Sequence, residues 1–413
     1  MTKIEVIIED AGAFDCVECG KCTSLCPVAK LNPDFAPRLI VVKAQAGMES
    51  EVKADKDIWS CITCEICNDM CPYKVNFSGF IQRMRAEAIE IGNIPLCSEA
   101  GAIHTMQRLT GKGQKQNRLI WLTDDLKVKD KGEVYYFTGC SYQLGVQFND
   151  RAAELKKVPA SVVKILNAAG IEPVVSNDEV CCGHDLIWSG NETAFKDLMK
   201  KNVETIRATG AKTVVFSCAE GFRTFSLDYK DFLGDLGFEV KHISEYLLDL
   251  IEQGKLDFKE SNVKVTYHDS CRMGRHMGLY DEPRELLKAM NVELVEMPSI
   301  REKAICCGVS AFATCSEVSR KMQMERLLEA KGTNTGVMLT FCPKCLIHYN
   351  CMLSMEKKPV EFENVELVVR DFNNFIAEQL KGATDNTSVG HKNIGKVVEN
   401  LSNNETKNIK GGE

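Results

Sequence analysis

Hydrophobic patterning changes character near residue 132. Before that point apolar residues recur at helical spacing in short stretches. The clearest stretch is 77–91, where Phe80, Ile81, Met84 and Ile89 share one face of a predicted helix; a second, 37–48, opens on Pro37, a residue tolerated in a first helical turn. Beyond residue 132, short continuous apolar runs alternate with longer helical patterns. Val134–Phe137 reads as a buried strand, 160–169 as a helix behind Pro159, 171–175 as a strand, 192–209 as a helix and Thr213–Phe216 as a strand. This alternation argues for a parallel-sheet α/β arrangement, in which ligands bind at strand ends where loops converge.

The same order then repeats. Residues 263–267 repeat the first strand, 283–289 the first helix, 292–296 the second strand, 316–330 the second helix, and Val337–Thr340 the third strand. Cysteines punctuate both copies at matching places. The first copy has Cys140, then Cys181-Cys182 followed by Gly183, then Cys218; the second has Cys271, then Cys306-Cys307 followed by Gly308, then Cys342. The copies part at one position, where the second has Cys345 and the first Gly221.

Composition narrows the function classes. A chain of 413 residues, 44% hydrophobic and 26% charged, has material for about two to four domains. A net charge of -7 and a pI near 5.7 leave no nucleic-acid footprint. No apolar run reaches the roughly 18 residues of a membrane span, and residues 1–15 are acidic where a signal peptide is basic and then apolar, so a cytoplasmic location is expected. Twenty cysteines bunched into C-x-x-C groups in a reducing compartment favour metal ligation over disulfides. The stretch 382–413, rich in Asn, Lys, Thr and Gly, is expected to be disordered or ordered on a partner.

The most specific chemistry lies near the N-terminus. Cys16, Cys19, Cys22 and Cys26 precede Pro27, and the spacing returns at Cys61, Cys64, Cys67 and Cys71 before Pro72. Two copies of C-x2-C-x2-C-x3-C-P are the signature of a domain holding two [4Fe-4S] cubanes, the fourth cysteine of each run crossing to the other cluster. Cys16, Cys19, Cys22 and Cys71 are therefore assigned to one cluster, and Cys61, Cys64, Cys67 and Cys26 to the second. Zinc fits poorly, because it usually takes two separated pairs. Residues 105–118 are basic and polar, and Gly111-Lys112-Gly113 completes no phosphate-binding motif because Gln116 stands where a third glycine would be. The expected organisation is a dicluster domain over 1–103, a linker over 104–131, an incomplete cysteine module over 132–258, a complete one over 259–381, and the polar tail.

Adjacent cysteines in a turn do not easily take two corners of one compact tetrahedron, so Cys271, Cys306, Cys307, Cys342 and Cys345 suit an extended or bridged metal centre. Cys140, Cys181, Cys182 and Cys218 are four thiolates open to zinc, a four-ligand cluster or a structural relic. His268 and His276 flank Cys271, and His184 follows the first cysteine pair; each is a candidate proton donor or, equally, a hydrogen-bonding partner of the sulfurs. Arg272, Arg275 and Lys344 bring positive charge to the second site, to attract an anionic thiol or offset cluster charge. Cys97, Cys315 and Cys351 lie outside these motifs, and Cys351 reads as a core residue of a helical run from Leu346.

Together these motifs resemble the heterodisulfide reductase catalytic subunit family, with its ferredoxin-like and cysteine-rich subunits joined in one chain. Iron-sulfur subunits of glycolate, lactate and glycerol-3-phosphate dehydrogenases share the architecture. The resemblance runs from Asp15 to about Leu380. It implies a mostly helical dicluster ferredoxin domain followed by two tandem α/β CCG modules, an α+β and α/β multidomain fold. It further implies a non-cubane [4Fe-4S] cluster at Cys271, Cys306, Cys307, Cys342 and Cys345, where a disulfide such as the coenzyme M-coenzyme B heterodisulfide is reduced. The first module departs from the pattern at Gly221 and is left with zinc or a further iron-sulfur cluster. The resemblance also implies a hetero-oligomeric complex with a flavin-containing donor, a membrane cytochrome or a quinone-reactive subunit, at the inner face of a membrane. The alternative is a relay between a flavin dehydrogenase and such a membrane partner. No dinucleotide-binding fingerprint stands in the chain, so both readings require one.

Overall fold

A computed structural model describes residues 2–113, 116–362 and 365–381. The first α/β module is built on three parallel strands, β1 (Val134–Phe137), β2 (Thr213–Phe216) and β3 (Glu239–His242), in the order β1-β2-β3. The second has four, β4 (Lys264–Tyr267), β5 (Glu293–Leu294), β6 (Val337–Thr340) and β7 (Val368–Asp371), in the order β5-β4-β6-β7. Tyr135, Tyr136, Val214, Val215, Val265, Tyr267, Met338 and Leu339 are almost wholly buried, as expected of parallel strands covered on both faces. The expected strand at 171–175 is reduced to isolated bridges from Val174 to Tyr135 and to Lys129, and that at 292–296 to the two residues of β5. β5 lies on a sheet edge, where only one neighbour holds the backbone extended, whereas Val174 sits between β1 and Lys129. Counting Val174, the two sheets have the same strand order, and the duplication read from the sequence is a duplication of topology.

Helices cover the sheets: Val158–Ala168, Glu192–Ala208 and Ile243–Glu252 in the first module, and Glu282–Ala289, Glu317–Gly332, Pro343–Leu353 and Phe372–Gln379 in the second. The glycine behind each cysteine pair is required twice over. Gly183 and Gly308 have φ of +81° and +79°, and an added Cβ would stand 2.7 Å from the Phe195 ring and 2.8 Å from the Ser319 carbonyl oxygen. Each cysteine-pair turn thus lies directly under the helix that follows it.

The N-terminal domain is a set of short helices, of which Phe77–Glu90 and Pro37–Gln45 match the two helical stretches read from the sequence. Segment 104–131 is expected to be a linker, but its described residues pack against the modules. Helix Ala102–Thr110 buries Ile103, His104 and Gln107, and Trp121 and Leu126 are buried further on. His104 Nε2 lies 2.7 Å from the Ala311 carbonyl, which ties this helix to the second module. The polar tail expected over 382–413 lies outside the described residues.

Candidate metal centres

In the second module all five cysteines converge. Cys271 leaves the end of β4, Cys342 N-caps helix Pro343–Leu353 behind β6, Cys345 lies in that helix's first turn, and Cys306-Cys307 come from the turn after β5. Cys306 Sγ is 4.0 Å from Cys271 Sγ, and thiol contacts run on from Cys306 to Cys307, from Cys307 to Cys345 and from Cys345 to Cys342. Cys306, Cys307, Cys342 and Cys345 are buried and Cys271 half-buried. The thiols of Cys306 and Cys345 pull Cys307 down to about 6, whereas Cys271 and Cys345 are pushed well up by their thiol neighbours and by burial. Such a set favours the Cys307 thiolate and resists those of Cys271, Cys306 and Cys345, so a cationic centre is what would let them ionise together. The donor set fits an iron-sulfur group.

Cys140, Cys181, Cys182 and Cys218 form a matching group at the ends of β1 and β2, with Cys181 and Cys182 in thiol contact and both acting electrostatically on Cys140 or its neighbours. It lacks a fifth thiol. A Cβ on Gly221 would stand 3.3 Å from Phe216 Cδ1, so a side chain at this position would press on the phenyl ring. The turn carrying Cys140 is fixed by buried Glu179, which accepts from Thr138 N (3.0 Å), Thr138 Oγ1 (2.8 Å), Gly139 N (2.9 Å) and Arg118 (3.0 Å).

In the N-terminal domain the two cysteine runs fold alike. Glu18 and Gly20 in the first, and Thr63 and Glu65 in the second, have left-handed φ of 56°, 76°, 48° and 66°. These positions curl each C-x2-C-x2-C run into a cup, and three of the four are not glycine, so surrounding contacts must hold them. Cys16, Cys19, Cys22 and Cys71 line one small cavity together with Cys67. Cys26 is pushed up to about 12, first by burial, and also feels the charges of Cys64 and Cys61. Cys71 thus lies with the first run, Cys67 beside both groups, and Cys26 near Cys61 and Cys64.

The second cup docks on the second module. Arg272, buried, donates to Thr63 O (2.6 Å), Thr63 Oγ1 (2.7 Å) and His184 Nε2 (3.1 Å), and its guanidinium lies 4.3 Å from the Trp188 ring. Arg275 donates to Cys64 O and to Ala304 O (2.9 Å), and Thr63 Oγ1 is 2.7 Å from Ser310 Oγ. These bonds fasten the strained Thr63 turn and set Cys64 close enough to Cys271 for each to feel the other's charge. His268 Nδ1 accepts from Arg326 Nε (3.2 Å), and His276 Nδ1 accepts from Arg223 Nε (3.2 Å). Burial first, then the neighbouring guanidinium groups, hold both imidazoles far below their usual range. His184 is likewise held neutral by burial and by Lys344.

Lys344 is buried between the modules. Its Nζ pairs with Asp185 and, at 2.8 Å, with Glu220, and lies 5.0 Å from the Phe312 ring. Burial works against its charge, but the two carboxylates overcome that and hold the amine well above its ordinary range.

A family model of a cysteine-rich domain matches residues 134–225 and 265–350, and one of a 4Fe-4S dicluster domain matches 12–75. The D-type subunit of the dihydromethanophenazine:CoB–CoM heterodisulfide reductase of Methanosarcina acetivorans is 32% identical over 394 residues, covering 86% of this chain and 92% of the relative. The chain belongs to the family of D-type heterodisulfide reductase subunits. Beyond that family, it is similar to the EtfAB:quinone oxidoreductase of Syntrophomonas wolfei, at 28% identity over 82% of this chain and 56% of the relative. It also resembles the B-type subunit of the fumarate reductase (CoM/CoB) of Methanothermobacter marburgensis, at 27% over 83% and 68%. As a member of its family it is an iron-sulfur electron-transfer protein and an oxidoreductase subunit. Among the described residues no helix is long and apolar enough to cross a membrane.

Sequence reasoning missed Arg85, Glu179, Asp185, Trp188 and Glu220. Only Arg85 left a signal, as a charge on the apolar stripe of helix Phe77–Glu90. The others act on partners remote in sequence.

Proposed function

We propose that this chain takes electrons at its N-terminal cysteine groups and delivers them to the five-cysteine centre of the second module, where a disulfide or related thiol-linked acceptor is reduced. Cys16, Cys19, Cys22 and Cys71 would hold one [4Fe-4S] cubane, Cys26, Cys61, Cys64 and Cys67 the other, and Cys271, Cys306, Cys307, Cys342 and Cys345 a non-cubane [4Fe-4S] centre. When bound, these groups supply electrons one at a time, two of which the cleavage of a disulfide consumes. The observation that carries the reading is the docked Thr63–Cys64 turn, which Arg272 and Arg275 clamp against the Cys271 loop with burial that excludes water. The chain's own residues bring donor and acceptor sites together and place two guanidinium groups beside Cys271. His268 and His276, neutral and engaged at Nδ1, serve this reading as positioning groups and not as acids. The first module, with Gly221 where the second has Cys345, would hold a four-thiolate metal, zinc or a cluster of another kind.

The relatives' names point to a multisubunit setting, and a flavin-containing donor with a membrane cytochrome or quinone-reactive subunit is the partner set this reading requires. The likeness to an EtfAB:quinone oxidoreductase favours, as a second reading, a relay in which the same centres pass electrons on without disulfide chemistry. Metal content and EPR of anaerobically purified protein titrated with a thiol separate the two. About twelve irons with a thiol-dependent signal support disulfide chemistry at the second module; about eight, or twelve without a thiol response, support the relay. Cys307→Ser or Cys345→Ser is expected to abolish disulfide reduction and leave both ferredoxin-type signals intact, and retained turnover would refute the assignment.

A further inference from the structure

The two modules touch through a pair of equivalent positions that carry opposite charge. Cys218-Ala219-Glu220-Gly221 corresponds in the duplication to Cys342-Pro343-Lys344-Cys345, so Glu220 and Lys344 occupy the same place in the first turns of equivalent helices, Ala219–Arg223 and Pro343–Leu353. In the fold these counterparts meet: Lys344 Nζ is 2.8 Å from Glu220 Oε2, beside a backbone contact of 3.5 Å from Ala219 N to Phe341 O. Asp185 closes the other side of the amine, and its own counterpart after the second cysteine pair is Ser310, without charge. Lys344 and Asp185 are each 3% exposed, and Gln107, itself buried, donates to Asp185 at 2.6 Å. Arg272 is engaged with Thr63, His184 and Trp188, and its charge also acts on Glu220. Both carboxylates on Lys344 thus come from the first module, at a depth where solvent screens little.

We infer that Glu220 and Asp185 are positioning residues for the second module's centre: in place of a fifth cysteine, the first module supplies the carboxylates that fix Lys344 between Cys342 and Cys345 and set the field there. The same charges also reach Cys140, Cys181 and Cys218, so the trio ties the second module's centre to the first module's cysteines. The inference rests on the proposed iron-sulfur centre at the second module.

The signs follow from Coulomb's law. A negative charge near a centre favours its oxidised form and lowers the reduction potential, and a positive charge raises it. The test is an anaerobic redox titration by EPR of the full-length protein, with iron per chain counted and the two ferredoxin-type signals as internal references. Glu220→Gln and Asp185→Asn should each raise the midpoint potential of the second-module signal. Lys344→Met should lower it, and the double variant K344M/E220Q should return it towards the parent value. Glu239→Gln, at an exposed carboxylate on β3, is the control and should shift nothing. Shifts of equal sign in E220Q and K344M, or shifts no larger than that of E239Q, would overturn the inference. If E220Q loses second-module iron, its retention in K344M/E220Q supports the pairing, because the fault is then the uncompensated lysine; loss in both overturns it. Parent protein with only the ferredoxin-type iron overturns the underlying reading instead, and the iron count shows which has failed.

Discussion

Arg85 lies on the buried face of helix Phe77–Glu90, and its guanidinium donates to the carbonyls of Ile58, Trp59, Cys61 and Trp188. Burial lowers it to about 10, so it stays charged at neutral pH. It joins the Cys61 turn to the first module through backbone acceptors that no apolar replacement can satisfy. Arg85→Met leaves several buried carbonyls unpaired, and we expect a loss of about 3 kcal/mol in anaerobic denaturant unfolding. The Cys26, Cys61, Cys64 and Cys67 group should lose iron before its neighbour, read from the two EPR signals on titrating with chelator; equal loss would show that Arg85 acts on global stability alone. The cysteines themselves were legible in the sequence because their spacing is the signal. Arg85, Asp185 and Glu220 were not legible as partners, since each acts on a group that only the fold brings near, as Lys344 and Asp185 do from 159 residues apart.

At the scale of elements, the strands that proved legible are those buried on both faces as apolar runs. β3 reads Glu-Val-Lys-His and β7 Val-Val-Arg-Asp, and their charged positions hid two sheet-edge strands. β7 ends at Asp371, which caps helix Phe372–Gln379 by accepting from Asn373 N (2.9 Å) and Asn374 N (3.3 Å). The cap is buried, and burial, with the charge of Glu154 adding to it, pushes Asp371 from 3.8 up to about 7. The native state therefore holds this proton more tightly than the unfolded chain. The stability it contributes is fully present below about pH 4, falls as pH rises through 7, and is level above that. Asp371→Asn keeps a capping oxygen and removes the titration. We expect the variant's advantage in thermal unfolding to grow from pH 5.5 to 8 on the order of 2 kcal/mol. A constant difference across that range would mean that Asp371 ionises normally.

On the scale of the whole molecule, the cysteine groups run from surface to interior. Cys19 is exposed, Cys61 and Cys64 are buried, and the second-module set lies behind the docked Thr63 turn. The duplication and the dicluster domain were readable in advance; this docking was not, because it is made by Thr63, Ser310, Arg272 and Arg275, polar residues with no periodicity to betray them. The order has a consequence for where electrons arrive. Phe14, Val17, Met70 and Tyr73 are 53%, 55%, 48% and 49% exposed, and each stands within two residues of Cys16 or Cys71, so an apolar collar surrounds the outermost cysteine group. If a protein donor docks there, placing charge in the collar should weaken docking and leave the cysteine cup intact. We expect the double variant Val17→Asp/Tyr73→Asp to raise KM for the donor protein about tenfold, the loss of roughly 1.4 kcal/mol, at unchanged kcat. Reduction by dithionite, which needs no docking surface, should proceed at the parent rate. Equal slowing with both reductants would point to damage at Cys16, Cys19, Cys22 and Cys71, whereas a parent-like KM would mean that electrons enter by another face.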